Sequence, residues 1–201
     1  MHVIDCTEAF TLVGSDARRG KLTLFAAEGP RERGALVHVA LRVADLDVAG
    51  ARLPTTLPLD AAYEGAVFFD VGEGLRLGLV EGETNVDYDL DHVALLAPDP
   101  ERTAREYGQL GFAPAEPSVS GARRVEVGGA YVEFHQGDAG NPERPLLNHF
   151  AVLVDAAAGA QDLGVEVADV VDAPNTFAVF VWGPDRVKVE YVEHKPEFSL
   201  H

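Results

Sequence analysis

The feature that most constrains this chain is an internal repeat built from alternating apolar runs. Three runs open alike, each with a histidine inside it, LVHVALRVADL, LDHVALLAPDP and LNHFAVLVDAA. Such alternation is typical of a strand with one buried face. Each copy closes with a second alternating run, GLRLGLVEG, GAYVEFHQG or RVKVEYVEH. Aligning the closing runs on their alternation places three residues at one closing position: Gly78, Glu133 and Glu190.

The spacing within the copies is nearly constant. The opening histidine and the closing position are 40 residues apart in the first copy and 41 apart in the other two. A helix-compatible stretch follows each opening strand. It is clearest where Asp99 can cap a helix, Pro100 can occupy its first turn and Gly111 can end it after Tyr107. Each copy therefore predicts a strand, a helix and three strands, a βαβββ module of about 55 residues.

The chain accommodates four such modules, the first of them incomplete. Thr23, inside GKLTLFAAEG, lies 15 residues before His38 and has closing-strand character, so the opening strand of its module would precede Met1. Because one module cannot bury a sheet face alone, we expect paired modules. The prediction is an α+β fold of two domains, residues 1–83 and 86–201, with curled mixed β-sheets around a cleft. The incomplete module would leave a sheet edge exposed, which favours a homodimer.

Composition narrows the classes of partner and cofactor. Thirty-three acidic against sixteen basic residues give a formal charge of −17, which repels nucleic acid and anionic membrane surfaces. No run approaches the roughly 18 apolar residues of a membrane span, and the start does not resemble a secretory signal, so a cytoplasmic location is predicted. Cys6 is the only cysteine, so a metal would have to be bound by histidines and carboxylates.

Four residues of the carboxy-terminal pair of modules are candidate metal ligands. Glu133 and Glu190 point away from the apolar residues that flank them on their strands. If two curled sheets enclose a cleft, His92 and His149 enter it from the opening strands. Two imidazoles and two carboxylates suit a divalent metal such as Fe(II), Zn, Ni, Co or Mn, with open positions for water or substrate.

The amino-terminal pair of modules departs from this pattern. It offers Gly78 and Thr23 where carboxylates would be, so no metal is expected there. His38 is then expected to be a relic or a hydrogen-bonded core residue. Candidate substrate-binding residues lie in the other half, where they would line the cleft: His135, Asn148, Phe180, Trp182 and Lys188.

The segments LDHVALL, YVEFHQG, NHFAVLV and WGPDRVKVEYVEHK resemble the ligand positions of the vicinal oxygen chelate superfamily. This superfamily contains glyoxalases, bleomycin resistance proteins and extradiol dioxygenases. As architecture the resemblance covers nearly the whole chain, and as a ligand motif it covers residues 90–195. It implies a metal that chelates adjacent oxygens of a small-molecule substrate and stabilises an enolate, an oxyanion or bound dioxygen.

Three functions follow from the resemblance. The first is a glyoxalase-like or epimerase-like lyase or isomerase, in which Glu190 or Glu133 takes a proton as general base; the four-ligand set favours it. The second is an Fe(II) extradiol dioxygenase with His92, His149 and Glu190 as ligands, although DAPNTFAVFVWGPDRVKVE lacks the His and Tyr of that signature. The third is a non-catalytic binding protein like the antibiotic-sequestering members, which generally lack a complete ligand set.

Overall fold

The computed structural model describes residues 1–15, 20–196 and 198. Their contacts divide the chain into two units. Unit 1 contains Met1–Leu95 and Asn141–Leu146, and unit 2 contains Leu96–Gly140 and the described residues from Leu147 onward. Strands dominate both units and helices are few and short, so the predicted α+β class is confirmed.

Unit 1 begins with three antiparallel strands in the order β1-β2-β3. A strand, a helix and three strands follow, and then the start of the next module. The strands of this second group lie in the order β5-β6-β7-β4-β8. The elements are β1 (His2–Cys6), β2 (Phe10–Gly14), β3 (Leu22–Phe25), β4 (Leu36–Val43), α1 (Leu46–Gly50), β5 (Asp60–Tyr63), β6 (Ala66–Gly72), β7 (Leu75–Glu81) and β8 (Asp89–Ala97).

The two faces of β4 carry different parts of unit 1. One face packs into an apolar cluster with β6, β7 and α1, made of Leu41, Val43, Ala49, Phe69 and Leu79. The other face carries His38 and Ala40, and Ala40 packs with Ala66 and Phe68. β7 runs parallel to β4, and β8 runs antiparallel to it with His92 opposite Ala40. His38 on β4 and His92 on β8 therefore point to the same side of the sheet.

Unit 2 repeats the modular order of strands. Its first strands are antiparallel in the order β11-β10-β9, and its last module has the order β12-β15-β14-β13. A 3-10 helix at Ala157–Asp162 replaces the α-helix of the last module, and a second one at Pro184–Arg186 connects β14 to β15. The elements are α2 (Pro100–Gln109), β9 (Ala113–Ala115), β10 (Arg123–Val127), β11 (Ala130–Gln136), β12 (Phe150–Leu153), β13 (Val167–Asp172), β14 (Thr176–Trp182) and β15 (Lys188–His194).

Helix α2 has the boundaries that its sequence predicts. The side chain of Asp99 accepts a hydrogen bond from the backbone N–H of Arg102 at 3.0 Å, and Pro100 occupies the first turn. The helix ends at Gln109, and Gly111 follows with a φ of 91°, which glycine adopts without steric cost. Tyr107 is fully buried and packs against three phenylalanine rings of unit 2.

The division between the units falls after Leu95. The sequence-based boundary at residues 83–86 assigns β8 to the carboxy-terminal half, whereas the contacts group most of β8 with unit 1. Within unit 1, β8 is hydrogen-bonded along β4 from Leu95 opposite Leu36 to Asp89 opposite Arg42. No described helix is long and apolar enough to cross a membrane.

Candidate functional site

Unit 2 brings together two of the predicted metal ligands, His149 and Glu190. Glu190 lies on β15, and His149 immediately precedes β12, which runs parallel to β15 with Ala151 opposite Glu190. The sequence predicted His149 to lie within the strand, but the ladder with β15 begins only at Phe150. His149 Nε2 lies 3.1 Å from Glu190 Oε2, and each side chain is about one-sixth exposed.

Asn148 sets the orientation of the His149 imidazole. Its side-chain oxygen lies 2.9 Å from His149 Nδ1. Because an amide oxygen can only accept, this contact puts a proton on Nδ1. In the neutral imidazole Nε2 then presents its lone pair toward Glu190. A lone pair and a carboxylate oxygen at 3.1 Å repel each other unless a proton or a metal cation lies between them.

Three predicted substrate-binding residues share a sheet face with Glu190. Phe180 lies opposite Glu190 across the β14–β15 ladder, and Trp182 lies opposite Lys188. The Phe180 ring also meets the His149 ring edge-on, with centroids 5.2 Å apart. The other face of these strands is buried through Val179, Val181, Val189 and Tyr191. One half-buried face therefore carries the His149–Glu190 pair and its apolar and cationic neighbours.

Glu133 is buried on β11, with only 4% of its surface exposed. Its carboxylate lies 3.5 Å from His135 Nε2 and 3.8 Å from Arg124 Nη1, and the Arg124 guanidinium lies 4.1 Å from the centroid of the Tyr131 ring. Nearby positive charge lowers the cost of burying a carboxylate. Glu133 and His135 share a face as predicted, and the assignment of Glu133 as a metal ligand stays a prediction.

His92 belongs to a hydrogen-bonded chain in unit 1. Its Nε2 lies 2.8 Å from His38 Nε2, and its Nδ1 lies 2.7 Å from Asp91 Oδ1. Arg42 Nε donates to Asp91 Oδ2 at 2.8 Å. Burial alone would raise the pKa of Asp91, but the hydrogen bonds and charges of His92 and Arg42 outweigh it and lower that pKa below its usual value. His38 is thus hydrogen-bonded, one of the two roles expected for it.

The closing position of this module is filled by an aromatic ring. A Cβ added at Gly78 would lie 2.4 Å from Cε1 of Phe68, and the Phe68 ring centroid lies 4.5 Å from that of His38. No carboxylate side chain fits at Gly78 without displacing Phe68. The alignment of the three closing runs showed that Gly78 replaces a carboxylate. It gave no indication that the Phe68 ring occupies the space of that carboxylate.

Across the described residues, no group of three or more His, Cys, Asp or Glu side chains is placed to hold a metal ion. The His149–Glu190 pair is a set of two donors, one nitrogen and one oxygen, and this donor chemistry fits a divalent metal. The set of four ligands stays a prediction, with His92 in unit 1 and the other three residues in unit 2.

No family model and no curated protein sequence matches the chain. Solved structures do match. The "putative dioxygenase" of Bacillus subtilis subsp. subtilis str. 168 has a TM-score of 0.76 at 17% identity, over 94% of this chain and 74% of that one. A mutant of 4-hydroxymandelate synthase from Streptomyces coelicolor has a TM-score of 0.53 at 13% identity, over 81% and 63%. Lactoylglutathione lyase from Agrobacterium tumefaciens has a TM-score of 0.41 at 18% identity, over 52% and 92%.

Proposed function

Since this chain has the fold of the vicinal oxygen chelate superfamily, we propose that it is a metal-dependent enzyme that moves a proton on a small, oxygen-chelating substrate. The observation that carries the proposal is the distance of 3.1 Å between His149 Nε2 and Glu190 Oε2. On the other side of the ring, His149 Nδ1 is hydrogen-bonded to Asn148 Oδ1. The Nε2 lone pair and the carboxylate oxygen repel each other at this distance unless a cation, either a proton or a metal ion, lies between them.

His149 and Glu190 would hold the metal, with Asn148 fixing the tautomer and orientation of His149. A bound divalent metal would polarise a carbonyl group of the substrate. A carboxylate of the site, Glu190 or Glu133, would accept the proton from the carbon next to that carbonyl. Phe180 would shield the His149 imidazole from water on one side, since their rings are in contact.

A ring-cleaving dioxygenase is the second candidate, and two observations favour it. The chain shares its fold over 94% of its length with the "putative dioxygenase" of Bacillus subtilis. The Glu133 carboxylate already has a positively charged neighbour, the guanidinium of Arg124 at 3.8 Å, which suits a site that binds its metal without a fourth ligand. The absence of a His and a Tyr in the segment before Glu190 weighs against this candidate.

The test is the metal content of protein purified anaerobically without an affinity tag, measured by elemental mass spectrometry. We expect near-stoichiometric metal in the wild type, loss of that metal in His149→Ala and Glu190→Gln, and retention in His38→Ala, the control in unit 1. Equal metal content in all four proteins, or none in the wild type after reconstitution, would overturn the proposal.

The identity of the metal and a pair of assays separate the two reactions. Zn, Ni, Co or Mn, with deuterium exchange next to the carbonyl of 2-oxo compounds, would support proton transfer. Iron, with oxygen uptake on catechols, would support the dioxygenase. Glu133→Gln adds a further test, because a four-ligand site loses metal in this variant whereas a three-ligand site keeps it.

A further inference from the structure

Lys188 lies beside the His149–Glu190 pair on the same sheet face. Residues two apart on a strand point the same way, so Lys188 and Glu190 are neighbours on one face of β15. Trp182 lies opposite Lys188 on β14. Two residues of a strand span about 7 Å. The Lys188 side chain is therefore the next side chain along this face from Glu190 and its partner His149.

The Lys188 ammonium has no carboxylate partner among the described residues. Its observed contact is with the Trp182 ring, whose centroid lies 5.4 Å from Nζ. The chain carries 33 acidic residues and a net charge of −17, and Lys195, for comparison, is paired with Asp172. Lys188 is also half-buried. A half-buried ammonium without a carboxylate partner on the protein can donate its hydrogen bonds to an anionic ligand.

Arg186 provides a direct comparison at the same ring. Its guanidinium lies 4.1 Å from the centroid of the Trp182 ring, but it is exposed and forms an ion pair with Glu166 at 3.0 Å. Among the described residues, therefore, Arg186 has a carboxylate partner and Lys188 does not, although both cations contact the Trp182 ring.

The turn that precedes Lys188 is held in an unusual conformation. Asp185 and Arg186 have φ values of 54° and 61°, in the left-handed region that favours glycine. The Asp185 carboxylate accepts hydrogen bonds from Thr103 Oγ1 at 2.6 Å and from Arg102 Nη2 at 3.0 Å, both on α2. These bonds anchor the turn and so fix the point at which β15 begins with Lys188.

We propose that Lys188 binds the anionic group of the substrate, a carboxylate or a phosphoryl group of a small organic anion. The substrate's other oxygens then reach the His149–Glu190 pair. This inference rests on the proposed function, because it takes that pair as the site of chemistry. The ammonium supplies a charge-assisted hydrogen bond on a partly shielded face, and the Trp182 ring forms the wall beside the bound anion.

Trp182 is the only tryptophan of the chain, so tryptophan fluorescence reports directly on this position. Metal-free, EDTA-treated protein is titrated with benzoate, with its neutral analogue benzamide, and with phenylphosphonate. We expect a saturable response to benzoate or phenylphosphonate and none to benzamide. Lys188→Met should weaken the apparent affinity at least about tenfold, since a charge-assisted contact is lost. Lys188→Arg should retain binding.

Arg186→Met is the matched control. It also removes a cation from the Trp182 ring, but this cation is already paired with Glu166. Its affinity for the anion should stay within about twofold of the wild type, and circular dichroism shows whether each variant is folded. A tighter response to phenylphosphonate than to benzoate, lost in Lys188→Met, supports the anion site and identifies the group as phosphoryl; the reverse order identifies a carboxylate.

Equal responses to benzoate and benzamide, no saturable response to either anion, or unchanged affinity in Lys188→Met would overturn the inference. Because the titration contains no metal, its failure is distinct from failure of the proposed function, which the metal content of His149→Ala and Glu190→Gln decides.

Discussion

The Nε2 atoms of His38 and His92 lie 2.8 Å apart, so the two imidazoles share one proton between them. On its other side, His92 Nδ1 lies 2.7 Å from the Asp91 carboxylate, which can only accept and therefore places a proton on Nδ1. Arg42 extends the chain by donating to the other oxygen of Asp91. The four side chains form one continuous hydrogen-bonded chain across β4 and β8, in which Asp91 is the only anion.

Asp91→Asn is expected to lower the free energy of unfolding by about 1–3 kcal/mol, because charge-assisted bonds to both neighbours are lost. The folded-state pKa of Asp91 is lower than its ordinary value. Its stabilisation is therefore complete above the pKa of the unfolded carboxyl and is lost as the pH falls through the folded-state pKa. Urea denaturation at neutral and acid pH should show a shallower loss of stability in the variant than in the wild type.

Asp87→Asn is the control for that measurement. Asp87 lies 3.9 Å from Arg52, and its side chain is 77% exposed, so the substitution should change the free energy of unfolding by less than about 1 kcal/mol. Equal losses in the two variants would contradict a special role for the buried chain of His38, His92, Asp91 and Arg42.

Gly78→Ala is expected to destabilise unit 1 by about 1–3 kcal/mol, because the new Cβ would lie 2.4 Å from the Phe68 ring. In a Phe68→Leu background the additional cost should shrink, since the ring that clashes is gone. Chemical denaturation of the two single variants and the double variant measures this coupling.

Gly50→Ala serves as the control for the alanine substitution itself. A Cβ at Gly50 meets nothing within 4 Å, and the residue lies in helix α1. Alanine there should be neutral or stabilising by up to about 1 kcal/mol. If Gly78→Ala and Gly50→Ala had the same effect, the close approach of Phe68 would not determine stability.

The local features of this fold could be predicted from the sequence because they depend on neighbours along the chain. Alternation identified β4, β7 and β11, and the Asp99–Pro100 signal identified the start of α2. The shared face of Glu133 and His135 also follows from the period of a strand alone. These predictions needed no knowledge of which strands pair.

The contacts that decide the sites depend on partners distant in sequence. Periodicity places His38 and His92 on strand faces, but it cannot show that β4 and β8 pair with His92 opposite Ala40. In the same way it cannot show that Phe68 from β6 fills the space above Gly78 on β7. The alternation of the strand does not indicate a role for Asp91, although Asp91 stands directly before His92 in LDHVALL and its carboxylate lies 2.7 Å from the imidazole.

Two buried tyrosines of unit 2 should respond in opposite ways to loss of the hydroxyl. Burial raises the pKa of Tyr191 to about 12, so the hydroxyl is protonated at neutral pH and donates to the Leu110 carbonyl at 2.6 Å. Tyr191→Phe should cost about 1–3 kcal/mol, because Leu110 is itself buried and loses this donor.

Tyr107→Phe is the matched substitution with the opposite expectation. The Tyr107 hydroxyl is buried and has no hydrogen-bond partner among the described residues, so its removal relieves a desolvation cost. The free energy of unfolding should stay unchanged or rise by up to about 2 kcal/mol. Thermal or urea denaturation of both variants tests the pair, and a large loss in Tyr107→Phe would show that its hydroxyl has a partner after all.

Asn148→Ala tests whether the orientation of His149 matters for metal binding. Asn148 lies 2.9 Å from His149 Nδ1, and loss of such a supporting contact typically costs about 10–100-fold in metal affinity. Competition titration with a coloured chelator measures the change. Asn148→Asp keeps an acceptor at the same place and should hold the metal at least as tightly as the wild type. If Asn148→Ala binds metal as tightly as Asn148→Asp, the side-chain oxygen does not fix the orientation of the His149 imidazole. The contact between His149 and Glu190 alone must then account for the metal affinity of the site.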